Sequence, residues 1–147
     1  MNKTTVALVV IGLSILFALI SFSGSSLVSY FTISNAGKVK TIGVGVFWDS
    51  SCTSAVYSID WGALESGSSK SIVVYIRNEG NSASTLSLST SNWTPSSAAN
   101  YINLSWNYGG QQLSPSGILE VTLTLTISPD AHGISNFGFD IIISATS

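Results

Sequence analysis

His132 is the single histidine of the chain, and Asp130 stands two residues before it. In Pro129-Asp130-Ala131-His132-Gly133 the two read as parts of a solvated loop. A hydrolytic triad would also need a nucleophile held on a strained turn, and no Gly-x-Ser-x-Gly segment supplies one. Cys52 is the single cysteine, which excludes a disulfide within one chain. It reads as a small buried residue; a free thiol, an intermolecular link and a thiol pair with His132 are the alternatives. One cysteine and one histidine fall short of the four ligands of a zinc site. Asp49, Asp60, Glu65, Glu79, Asp130 and Asp140 are scattered, without the Asp-x-Asp-x-Asp-Gly spacing of a calcium loop. An ion held between loops is the one metal alternative these acids leave open. No glycine-rich phosphate loop opens a helix. The residues thus point to no catalytic group, no cofactor and no metal.

Recognition has better candidates. Trp48, Trp61, Trp93 and Trp106 could line a carbohydrate-binding face. Trp48 and Trp106 lie on alternating apolar faces and are expected in the core, where the indole N–H needs a partner. Trp61 and Trp93 fall at strand ends and are the expected exposed patch. Asn92-Trp93-Thr94 and Asn103-Leu104-Ser105 match the glycosylation acceptor pattern. Asn2-Lys3-Thr4 matches it too, ahead of the apolar start of the chain.

The elements that carry these residues read as strands. Lys38 to Trp48 alternates, with Ile42, Val44, Val46 and Trp48 on one face and Thr41, Gly43, Gly45 and Phe47 on the other. Asp49 to Thr53 is a loop, and Val56, Tyr57 and Ile59 make a short strand ending at Asp60-Trp61-Gly62. Ser71 to Arg77 alternates strongly, closed by the turn chemistry of Asn78-Glu79-Gly80-Asn81. Leu86 and Leu88 mark a half-buried strand that Asn92-Trp93-Thr94-Pro95 is expected to break. Tyr101 to Tyr108 alternates, and Leu119 to Ile127 is the cleanest period-two segment. Phe137, Phe139, Ile141 and Ile143 make a last strand, with Asp140 facing out. About seven strands with turn signals between them and no amphipathic helix predict an all-β, immunoglobulin-like antiparallel β-sandwich.

The start of the chain is different. Val6 through Phe22 is apolar and uncharged, at the short end of the roughly 17–25 residues that span a bilayer. A retained signal anchor is the preferred reading. A cleaved secretory signal, with small residues at Ser21, Ser23 and Gly24, and a pilin-type segment clipped near Lys3 are the alternatives to it; a buried core helix is the plainest. Residues 1–22 are therefore a hydrophobic, transmembrane or signal helix, 23–37 a linker with Asn35-Ala36-Gly37 as a turn, and 38–147 the β domain. Lys3 before the run places the domain outside the membrane. Charged residues are 8% of the chain and formal net charge is −2, which leaves no basic patch for nucleic acid. Serine and threonine, roughly a quarter of the residues, far above ordinary usage, make an uncharged polar surface suited to walls and filaments.

Leu64-x-x-Gly67 before Ile72-Val73-Val74, then Asn78-Glu79-Gly80-Asn81, Trp93-x-Pro95, Leu113-Ser-Pro-Ser-Gly117 and the closing Phe137-x-Phe139-x-Ile141 strand resemble immunoglobulin-like modules of prokaryotic surface proteins. With the leading apolar segment the chain resembles small, single-span archaeal surface proteins, and more weakly archaeal pilins and archaellins. At the pilin processing position Lys3-Thr4 stands where a basic residue followed by glycine or alanine is expected. The resemblance implies a single-pass cell-membrane glycoprotein with an extracellular domain, no catalysis, and a structural or adhesive role through self-association or contact with other surface proteins. A pilin-like filament subunit and a secreted glycan- or solute-binding module are the alternatives.

Overall fold

Period-two alternation of β-branched and leucine residues leaves each segment one apolar face to bury, and two such layers bury it against each other. The computed structural model describes residues 35–147. The chain runs β1 (Ala36–Ile42), β2 (Val44–Phe47), β3 (Ser58–Asp60), β4 (Ser69–Asn78), β5 (Thr85–Thr94), a 3-10 helix at Ser96–Asn100, β6 (Ile102–Trp106), β7 (Ile118–Ile127) and β8 (Gly138–Thr146). The strands form two four-stranded sheets in the orders β3-β1-β8-β5 and β2-β4-β7-β6. The fold is all-β, a two-layer β-sandwich. Ile59, Phe139, Ile141, Ile143 and Leu86 of the first sheet meet Val46, Val74, Ile76, Val121, Leu123 and Leu125 of the second. The apolar run of residues 1–22 and most of the 23–37 linker lie outside the described residues. Among the described residues no helix is long and apolar enough to cross a membrane.

Four expectations change. The segment read as one strand from Lys38 to Trp48 is two strands in two different sheets, because Gly43 adopts φ +73 between them. That left-handed geometry suits glycine alone without strain, and it lets the chain step from one layer to the other. Asn35-Ala36-Gly37, read as a turn, instead begins β1. β1 pairs with β8 in parallel, from Ala36 opposite Gly138 to Ile42 opposite Ser144, so the sandwich is mixed rather than purely antiparallel. Asn92-Trp93-Thr94 does not end its strand: β5 continues through it with a shift of register between Ser91 and Thr94, where Asn92 takes φ +54. A bulge absorbs the irregularity that the sequence presents as a break.

Candidate interaction surfaces

Trp61 follows β3, the edge of the first sheet, and Trp93 lies in β5, the opposite edge. They share no surface. Trp61 is 0% exposed, which corrects the expectation of an exposed Trp61/Trp93 patch. Ile141 and the Trp61 ring together take the place of a side chain at Gly37: a Cβ there would stand 2.7 Å from Ile141 Cδ1 and 3.3 Å from the indole nitrogen. The Trp61 amide donates to Asn35 O at 2.8 Å, and its carbonyl accepts from Lys70 Nζ at 2.8 Å. Its indole N–H is buried without an acceptor among the described residues. Trp93 is half-buried, stacked on Phe139 with ring centroids 4.2 Å apart. Trp48, expected in the core, is 42% exposed because β2 ends at Phe47, one residue before it. Trp106 is half-buried against Tyr108.

Asn35 anchors the start of the domain. Its Nδ2 donates to Gly62 O at 2.9 Å and its Oδ1 accepts from Phe137 N at 3.2 Å. It borders a shallow hollow lined also by Leu64, Ile102, Ile127, Ile134 and Phe137. The polar side chains there are already engaged: Ser66 Oγ donates to Ala131 O, and Ser135 Oγ accepts from Asn136. A ligand site needs convergent polar groups with capacity left over, and this hollow has little.

The acids expected as isolated groups are tied up locally. Asp140 does lie on the outward-facing register of β8, yet it is buried, because Lys40 Nζ (2.7 Å) and Asn92 Nδ2 (2.6 Å) close over its carboxylate. Lys40, and next Asn92, hold its carboxyl below the usual carboxylate range. Asp49 accepts from Ser54 N, Thr53 N and Thr53 Oγ1, and these bonds, the Ser54 amide first, lower its pKa as well. On the second sheet Arg77 pairs with Glu79 at 2.6 Å and lies 4.8 Å from the Phe47 ring centroid. Tyr75 donates to Glu120, which raises the phenol. Lys40 with Asp140 and Arg77 with Glu79 are opposite charges that neutralise each other, while Asp49 and Tyr75 are held by hydrogen bonds. Asp130 and His132 are exposed in the β7–β8 loop. Cys52 is buried, as expected of a small apolar residue. Among the described residues no three His, Cys, Asp or Glu side chains gather as metal ligands.

Asn92 and Asn103 sit on β5 and β6, strands at the same side of the sandwich. The Asn92 amide nitrogen, the atom a glycan would join, is bonded to Asp140. Asn103 is exposed on β6, opposite Thr126. Sequence reasoning missed Asn78, which is 1% exposed and ties the end of β4 to the turn after it and to Leu113. Its Nδ2 donates to Ser82 O and Leu113 O, and its Oδ1 accepts from Gly80 N. Its place in a turn-rich tetrapeptide was the available signal, and that signal concealed a buried polar hub. The chain matches no known protein-family model and no curated protein.

Proposed function

We propose that this chain is a membrane-tethered, extracellular structural or adhesive protein without catalysis, built on a β-sandwich of immunoglobulin type. The observation that supports this most is that hydroxyls on the outer surface of both sheets pair across strands, beside a few charges that are themselves paired. Ser87 Oγ lies 2.6 Å from Ser144 Oγ on one sheet, and Ser71 Oγ lies 2.9 Å from Thr124 Oγ1 on the other. Cross-strand hydroxyl pairs stabilise a sheet face without the repulsion that like charges impose on closely packed neighbours. The tether rests on the apolar run before the domain. The pilin-like filament reading shares this surface and differs in the fate of the run. A secreted glycan-binding module would have to work without Trp61, which is buried.

The test is labelling of intact cells with a membrane-impermeant amine reagent, followed by membrane fractionation and sequencing of the amino-terminal peptide. Lys38, Lys40 and Lys70 are exposed and should react in intact cells. The protein should stay in the membrane pellet after an alkaline wash and keep its residues through Phe22. Labelling only after lysis would refute the outward orientation. A terminus just after Lys3 would make the chain a filament subunit, and a terminus near Gly24 on a soluble protein would refute the tether.

A further inference from the structure

Resting on the reading of contacts between copies above, we propose that the edge of β5 is a self-pairing interface. Two copies join antiparallel through Leu88 and Thr90, so that their first sheets become one continuous sheet.

β5 ends its sheet, and among the described residues it pairs only with β8. The amide of Leu86 points away from β8, where the Tyr108 hydroxyl accepts it at 3.1 Å. Two-residue periodicity turns the amides and carbonyls of Leu88 and Thr90 to the same edge. No backbone group among the described residues takes them. Proteins usually protect such an edge with charge, proline, a bulge or brevity. From Thr85 to Ser91 β5 has none of these, and its register shift comes only between Ser91 and Thr94. The other side of the sandwich has them: β3 is three residues long, and β2 is capped by Val56 N bonding to Val46 O and Trp48 N to Ser54 O.

A second copy of β5 fits this edge. With Leu88 opposite Thr90 of the second copy, the strands form about four inter-strand hydrogen bonds around a twofold axis at Ser89. Ser89 then faces its own counterpart, and Ser87 faces the counterpart of Ser91. The outer face would repeat the hydroxyl contact already made between Ser87 and Ser144. No charge of β5 opposes its twin, since β5 carries none. The contact is small beside a standard interface of roughly 1,600 Å². It therefore depends on tethering, which raises the effective concentration of copies on one membrane.

The test uses the full-length chain in its native membranes. In this arrangement the two Ser89 residues form a non-hydrogen-bonded pair with Cα atoms about 4.5 Å apart, within disulfide reach. Ser89→Cys should give a disulfide-linked dimer on mild oxidation, several-fold above the yield of Ser58→Cys on β3. Equal yields would overturn the interface. Ser89→Lys and Ser89→Glu should each abolish association, measured by chemical cross-linking, and co-expression of the two should restore it. No loss, or loss without restoration, would overturn the pairing. These readouts do not depend on which side of the membrane the domain faces, so their failure is distinct from failure of the amine-labelling test.

Discussion

On one flank of the sandwich, β2 and β3 stop after four and three residues, and the loop between them folds back over their edges. On the other flank β5 runs for ten residues to an open edge, and β6 for five. The closed flank also holds the largest fully buried side chain, Trp61, and the Asp49-capped turn. The open flank holds the glycosylation patterns at Asn92 and Asn103, and its aromatic residue in β5, Trp93, is only half-buried. The same sheet thus ends in one edge committed to folding and one edge where the backbone groups of Leu88 and Thr90 have no backbone partner among the described residues. Stability should concentrate on the first and association on the second.

Truncating each edge tryptophan tests this division with the largest effect. Trp61→Ala should cost about 3–5 kcal/mol, because it empties a fully enclosed site. Trp93→Ala should cost about 1–2 kcal/mol, since it loses one stacked pair and partial burial. Chemical denaturation of both variants checks the ranking, and equal losses would break the contrast. Gly37→Val approaches the closed flank from the opposite direction. Its added atoms would meet Ile141 and the Trp61 ring, so a loss of about 1–3 kcal/mol is expected from overpacking. No change on that substitution would mean that the Trp61 ring has room to move.

These residues also show what was legible in the sequence. β7 and β4 were, because each has one face in the core and one in water, and alternation records that division directly. Trp61 was not, because it packs with Ile141 beside Gly37, which has no side chain to displace them and comes close only after β1 pairs with β3 and β8. The step between sheets at Gly43 was hidden for a related reason. Alternation of Ile42, Val44 and Val46 continues through it, yet Ile42 at the end of β1 is 64% exposed while Val44 and Val46 are buried in the second sheet. Asp140 lies on the outward register the pattern implies, yet Lys40 and Asn92, from two neighbouring strands, bury it. Local pattern reports the direction of a side chain; cover supplied by another strand is beyond it.

The acid limb of stability gives a smaller test. Asp49 has a folded-state pKa below its ordinary value of 3.8. A depressed carboxylate contributes stability that is complete above the unfolded pKa and is lost as pH falls through the folded one. The Tm of the unaltered chain should therefore fall below about pH 4, and part of that fall should vanish in Asp49→Asn. Asp140 is depressed in the same direction by Lys40 and Asn92, so Asp140→Asn should remove a further part. An acid limb unchanged in both variants would show that other groups set it.

The smallest effect is expected where the open flank differs most from the closed one. Ser89 is exposed on β5 and makes no side-chain hydrogen bond within the described residues. Ser89→Lys should change the Tm of dilute, detergent-solubilised protein only by the equivalent of about ±0.5 kcal/mol, as surface substitutions do. The informative measurement is the dependence of Tm on the protein-to-lipid ratio of the chain reconstituted in vesicles, where the shared membrane holds copies together. A partner that binds only the folded state raises apparent stability by mass action, so a pairing edge makes the Tm of the unaltered chain rise with that ratio. Ser89→Lys should abolish that rise while leaving the dilute Tm in place. A large drop at every ratio would instead mean that this edge contributes to the fold of a single copy, and the distinction between the two flanks would fail.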